Sequence, residues 1–301
     1  MKHQHDTGYK KLFLNKIMVE ELITSFVEEK WTKEIDFSTL QNIQKTFIND
    51  NFKRMESDII YSVQYKEKDI YFYILLEFQS TVDKFMSLRF LRYITEFYFY
   101  LLENKSNKIK KLPAVFPILL YNGTEKWTSE TNVSSLIQNS IPKKYIPTFN
   151  YYKIIENEIP KDKLMKIRNA VSTLFLVETT DIKGIKKEIN KIVSIIKAEK
   201  PEVEKLITNW FKKIFTQSIN DKKVIEKLNN ITEVKSMLIE TLEKRDKMIE
   251  EKALKQGLRQ GMFSTEIEVA KRLIKRGVKD INEISIISGL EENEVKKLFK
   301  K

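Results

Sequence analysis

The chain contains no cysteine. That excludes disulfides, thiolate metal sites and thiol nucleophiles. It has no run of about 18 apolar residues, so no helical membrane span is expected. Its opening residues, MKHQHDTGYKKLF, lack the apolar stretch of a signal peptide. The expectation is a cytoplasmic protein, nucleoid-associated at most, with no membrane partner. There is also no internal repeat and no low-complexity linker.

What is present is enough apolar side chain for a core and a strongly basic balance. Lys plus Arg total 54 against 42 Asp plus Glu, a formal charge of +12 that attracts polyanions at long range. Lys, Asn and Ile are abundant, and an AT-rich genome supplies them without functional pressure. Basicity alone therefore makes nucleic-acid binding only about twice as expected.

Hydrophobic spacing organises the chain. Residues 7–30 read as a helix, with Leu12, Phe13, Val19, Leu22, Ile23 and Phe26 on one face and Asp6 or Thr7 as cap. A short strand is expected near KTFIND (45–50). Residues 58–65 alternate, with Ile59, Tyr61, Val63 and Tyr65 opposed to Asp58, Ile60, Ser62 and Gln64. After the charged turn KEKD, residues 70–79 are apolar on both faces, so the two runs form a hairpin whose second strand is buried. A helix at 84–104 places Phe85, Leu88, Leu91, Ile94, Tyr98 and Leu101–Leu102 inward. PAVFPILLYNG (113–123) is a strand closed by an Asn-Gly turn, and FNYYKII (149–155) is one more. This order predicts an α/β core, a mixed sheet flanked by helices. From about residue 161 the pattern is helical. Residues 240–260 read as a charged connecting helix. Helices stopped by Gly277 and Gly289, followed by EENEVKKLFK, make a small helix-turn-helix-like unit. The expected division is a core at 1–180, a charged helical arm at 181–260 and the small unit at 261–301.

The chemistry concentrates in the hairpin. Glu77 and Gln79 share a strand face, and Asp58 opens the strand that pairs alongside. Two carboxylates then meet at the rim of an apolar sheet. Their repulsion is relieved by a divalent cation such as Mg²⁺, which takes oxygen ligands and keeps several waters. The alternative is structural: Asp58 starts a strand after a turn, and Glu77 pairs with Arg89 or Arg92. An unpaired glutamate in so apolar a strand is costly either way.

At these residues the chain resembles the Rpn family of recombination-promoting nucleases and transposase-like proteins, within the PD-(D/E)XK nuclease superfamily. The matching segments are HDTGYKKLF (5–13), SDIIYSV (57–63), YFYILLEFQS (71–80), MSLRFLRY (86–93) and LPAVFPILLYNG (112–123), with Trp127 shortly after. They cover about the first 180 residues. The resemblance implies a restriction-endonuclease-like core with Asp58 and Glu77 as ligands of Mg²⁺, Mn²⁺ or Ca²⁺. It also implies that Gln79 stands where many superfamily members have lysine. On this reading the chain hydrolyses DNA phosphodiesters. The Phe78 carbonyl completes the metal ligand set, and Gln79 orients water or phosphate. The alternative is a catalytically inactive DNA-binding or regulatory protein on the same scaffold.

Other residues carry weaker readings. His5 and Asp6 could reach the site from the first helix, although Asp6 also reads as a helix cap. Glu20 or Glu21 could touch the metal through water or simply face solvent. Arg89 and Arg92 could clamp phosphates or form ion pairs with Glu77 or Glu96. Tyr121 could approach substrate but reads more naturally as a packed aromatic, as do Trp31 and Trp127. Lys271, Arg272, Lys275 and Arg276 are candidate phosphate contacts. The last helix (291–300) could be a recognition helix, but its acidic start opposes phosphate, and a dimerisation or regulatory tail is an equal alternative for this unit. Cutting of both strands would favour a homodimer.

Overall fold

A two-residue turn sets the geometry of the whole sheet. The computed structural model describes residues 9–43, 58–77, 81–105, 110–216 and 228–299. The first elements in chain order are α1 (Lys16–Phe26), β1 (Ile35–Asn42), β2 (Asp58–Tyr65) and β3 (Lys68–Glu77). β2 and β3 are joined by Lys66 and Glu67, whose φ angles are 50° and 61°. Positive φ at both turn positions gives the local twist that a tight hairpin needs. Lys66 is further anchored by Glu34 at 3.1 Å.

After the hairpin come α2 (Met86–Lys105), β4 (Ala114–Tyr121) and β5 (Tyr152–Ile155). The sheet is five-stranded, in the order β1-β2-β3-β4-β5. β1 and β2 pair antiparallel, as do β2 and β3; β4 and β5 are added in parallel. A parallel neighbour requires a crossover, and α2 supplies it. The fold is therefore α/β, a mixed sheet flanked by helices. One face carries Tyr71, Tyr73 and Leu75 against Met86, Phe90 and Phe97 of α2. On the other face Ile59, Tyr61, Phe72 and Ile74 are equally buried, and the Tyr61 hydroxyl donates to the Phe13 carbonyl at 3.0 Å. Burial on both faces explains why β3 is an unbroken apolar run.

Helices follow: α3 (Lys161–Ile167), α4 (Ala170–Glu178), α5 (Ile182–Ala198), α6 (Pro201–Thr216), α7 (Ile231–Lys275), α8 (Ile281–Ser288) and α9 (Glu292–Leu298). The chain divides into two compact units, Met1–Lys235 and Ser236–Lys301. In the second unit, Ala270, Ile284, Leu290 and Val295 form a small core of their own. Asp280 caps α8 by accepting from Asn282, and Gly289, at φ 80°, ends it in the left-handed conformation that glycine adopts without penalty.

Three expectations change. The helix at 7–30 is broken: residues 9–13 are helical, and α1 restarts at Lys16 because the Asn15 side chain accepts from Ile17 N–H at 2.8 Å. A cap has won over continuity. β1 lies at 35–42, a stretch not read as a strand, whereas KTFIND falls outside the described residues, as do Asp6 and Thr7. On α2 the buried stripe is Met86, Phe90, Ile94, Phe97 and Leu101, while Phe85, Leu88 and Leu102 are exposed. Apolar residues stand on more than one side of that helix, so its spacing fits more than one phase.

Candidate active site at the carboxyl edge of the sheet

Register decides whether Asp58 and Glu77 can act together. Asp58 pairs with Leu75 in the antiparallel ladder. Directly opposed residues share a sheet face, and so do residues two apart on one strand. Position 58 therefore lies on the face of Glu77, one pleat away. Diagonal cross-strand neighbours of this kind stand roughly 7–8 Å apart. The structure describes Asp58 through its backbone. Gln79 and Phe78 lie outside the described residues, as do His5 and Asp6.

Glu77 closes β3 with its side chain on the α2 side and is 6% exposed. Its Oε2 accepts from Arg89 Nη1 at 3.1 Å. The same Nη1 reaches Asp83 Oδ2 at 3.3 Å, and Arg89 Nε donates to the Tyr93 hydroxyl at 3.4 Å. Burial pulls the Arg89 pKa down, but Tyr93, Glu77 and Asp83 together hold it above its ordinary value, so the guanidinium stays charged. The chain reaches this geometry through a cap: Asp83 Oδ1 accepts from Phe85 N–H at 2.9 Å just before α2, and Arg89 follows one turn into the helix.

Asp83 was not singled out by the sequence. Its visible signal was only that of an acid preceding a helix, yet it stands beside Glu77 across Arg89. Tyr121 pairs with Glu77 in the parallel ladder, is fully buried, and packs on Trp127 with ring centroids 4.8 Å apart. It is a packed aromatic of the site wall. Gly123 is required behind it, since a Cβ there would fall on the Tyr121 phenol.

The other candidates lie elsewhere. Arg92 Nε is 2.7 Å from Glu96 Oε1 on the exposed side of α2. Glu21 is not a solvated helix residue: it accepts from Val171 N–H at 3.1 Å, at the start of α4. Burial, with the charge of Glu199, pushes its carboxyl up to about 8. Lys271, Arg272, Lys275 and Arg276 are exposed in the second unit, and Arg272 pairs with Glu268 at 2.5 Å. On α9, Lys296 pairs with Glu292 and Lys297 with Glu294, so those lysines are already balanced.

Among the described residues, no group of three or more His, Cys, Asp or Glu side chains gathers for a metal. The donor set at the hairpin end is nonetheless oxygen-only and anionic, which suits a hard divalent cation. Glu77 is balanced by Arg89, so a cation there would compete with a guanidinium for one carboxylate oxygen. Among the described residues no helix is long and apolar enough to cross a membrane.

Comparison with known proteins places relatives along much of the first two thirds of the chain. The family model described as "Putative transposase, YhgA-like" matches residues 3–207. Recombination-promoting nuclease RpnD of Escherichia coli O157:H7 is 30% identical over 122 residues, covering 39% of this chain and 46% of the relative. Recombination-promoting nuclease RpnA of Escherichia coli K12 is 34% identical over 91 residues, 30% of each chain. The inactive recombination-promoting nuclease-like protein RpnE of the same strain is 23% identical over 175 residues, 58% of this chain and 57% of the relative. The chain thus spans about half or less of the length of these curated relatives. No solved structure matches. With more than half its length inside one family model, and with several Rpn proteins among its relatives, the chain belongs to the YhgA-like putative transposase family, in keeping with an Rpn assignment.

Proposed function

We propose that this chain is a divalent-metal-dependent DNA endonuclease of PD-(D/E)XK type, acting in recombination or in a mobile element. The observation that carries the reading is the hairpin register, Asp58 opposite Leu75, with the buried Glu77 one pleat further on the same face. The names of the nuclease relatives support it.

In this reading Asp58 and Glu77 would hold Mg²⁺, Mn²⁺ or Ca²⁺ with the Phe78 carbonyl. The cation supplies Lewis-acid polarisation of a phosphoryl oxygen and lowers the pKa of water. The chain's own residues do the positioning. Gln79 cannot act as a base at neutral pH, but its amide can donate to a phosphate oxygen or hold water by its carbonyl. Arg89, released from Glu77, would be free to donate to phosphate while Asp83 keeps it at the edge of the site. The packed Tyr121–Trp127 wall excludes water from the inner side. Exposed basic residues, Arg92 and the Lys271–Arg276 group, supply sequence-tolerant affinity whose strength falls with salt. Cutting of both strands would call for a homodimer.

The test is a supercoiled plasmid incubated with Mg²⁺ or with EDTA. Wild type should cut only with Mg²⁺. Asp58→Ala should abolish cutting while its unfolding curve stays unchanged. Cutting by Asp58→Ala at the wild-type rate would show the assignment to be wrong. One observation favours a second reading, an inactive DNA-binding protein on the same scaffold: Arg89 already balances Glu77 at 3.1 Å. That reading predicts salt-sensitive DNA binding with no metal-dependent cleavage in any lane.

A further inference from the structure

We propose a second divalent-cation site, on the sheet face opposite Glu77, formed by the carboxylates of Glu156 and Glu178. It is independent of the nuclease reading. Glu156 directly follows β5 and is 1% exposed. Its Oε2 accepts from the Tyr9 hydroxyl at 2.9 Å and from Asn122 Nδ2 at 3.0 Å, and Asn122 also donates to the Tyr9 oxygen at 2.8 Å. Its Oε1 is buried with no partner. Glu178 is the last residue of α4, and its Oε1 is likewise buried with no partner. Both glutamates line one cavity of about 500 Å³, together with Asn122, Gly123 and Lys161.

Two buried carboxylate oxygens without a donor, on glutamates that line one cavity, call for a proton or for positive charge. Among the described residues no cation is shown against these acids: Glu156 accepts from the neutral donors Tyr9 and Asn122, Glu178 accepts from Asn122, and Lys161 is exposed at the cavity wall. Burial and the neighbouring Glu178 charge push the Glu156 carboxyl well up, and burial pushes Glu178 up to about 7. A single proton shared by the two acids can satisfy both oxygens but leaves one negative charge buried between them. A hard cation satisfies both, since one or two carboxylates plus retained waters is a common ligand set for Mg²⁺. The cavity has room for those waters. Glu178 also sits at the C-terminus of α4, where the helix dipole adds negative potential and favours a cation. Such an ion would tie together the ends of β4, β5 and α4 and the segment around Tyr9. Its effect would reach Glu77, whose carbonyl accepts from Asn122 N–H at 3.1 Å.

The experiment is a Mn²⁺ titration of the full chain at neutral pH, read by the signal of free Mn²⁺, with thermal unfolding in parallel. Wild type, Asp58→Ala, Glu178→Gln and Glu156→Gln are compared. Asp58→Ala should retain a bound Mn²⁺ and its melting shift. Glu178→Gln should bind one ion fewer than wild type and lose that shift. If Glu178→Gln binds the same number of ions with the same melting shift as wild type, the cavity holds a proton rather than a metal and the inference falls. Should Glu156→Gln fail to fold, the partly accessible Glu178→Gln carries the test alone. A nuclease reading that fails in the plasmid assay leaves this result unaffected.

Discussion

The two sides of the sheet's carboxyl edge treat a buried glutamate in opposite ways. Glu77 ends β3 and is met by a guanidinium, with Asp83 and Tyr93 holding that guanidinium in place. Glu156 follows β5 on the other face and is met by a phenol, an amide and a second carboxylate. The first arrangement keeps a charge in the protein and balances it locally. The second leaves a demand for a proton or a metal. The difference is one of supplied charge rather than burial, because both side chains are almost fully enclosed.

Removing the balance on the Glu77 side should have the largest effect on stability. Arg89→Ala leaves Glu77 buried without its cation. Losing a charged hydrogen bond and stranding its partner costs about 1.5–3 kcal/mol, discounted toward the low end because Arg89 is one-third exposed. Chemical denaturation in EDTA measures it. Added Mg²⁺ should restore part of the loss in Arg89→Ala and much less in an Arg89→Ala, Glu77→Gln double variant. A loss that Mg²⁺ does not touch would separate Arg89 from metal binding.

An intermediate effect is expected where a carboxylate is buried without a cation but with a backbone donor. Glu21 has its carboxyl raised to about 8 in the fold, above its ordinary 4.5. A group raised on folding favours the native state below the unfolded pKa and loses that contribution as pH rises through the folded one. The melting temperature should therefore decline from about pH 4.5 toward pH 8–9. Glu21→Gln should flatten that decline in a metal-free pH series. An identical slope in the variant would show that Glu21 is ionised at neutral pH. The smallest effect belongs to Arg92→Ala. Its pair with Glu96 is exposed, and such pairs contribute roughly 0–1 kcal/mol. Equal losses for Arg92→Ala and Arg89→Ala would erase the contrast between a buried and a solvated ion pair.

Much of this was legible as pattern. The alternation at 58–65, the apolar run after it and the Gly277 and Gly289 stops each match an element found in the structure. β1 escaped because its register shifts between Asp36 and Gln41, which breaks the two-residue period. The phase of α2 escaped because Phe85, Leu88 and Phe99 are apolar yet exposed, so hydrophobicity did not mark its inner face. Asp83 was hidden behind its role as a cap. Glu156 and Glu178 carried a signal that was used only for Glu77, an acid placed at the end of an unbroken apolar run. YFYILLE ends this way, and the shorter apolar runs IIE (154–156) and LFLVE (174–178) repeat the pattern. A strand or helix buried all round has no solvent side on which to place such a residue.

The tip formed by Lys66 and Glu67 has a consequence at the far end of the hairpin. With no spare residue in that link, the eight ladder pairs from Tyr65–Lys68 to Asp58–Leu75 are counted out from it like rungs. Lengthening the link by one residue invites a one-step slip, and a one-step slip reverses the side on which every position of β2 stands. Position 58 would then fall on the face opposite Glu77 although no atom near either had been altered. The register that puts positions 58 and 77 on one face is thus written at the opposite end of the hairpin.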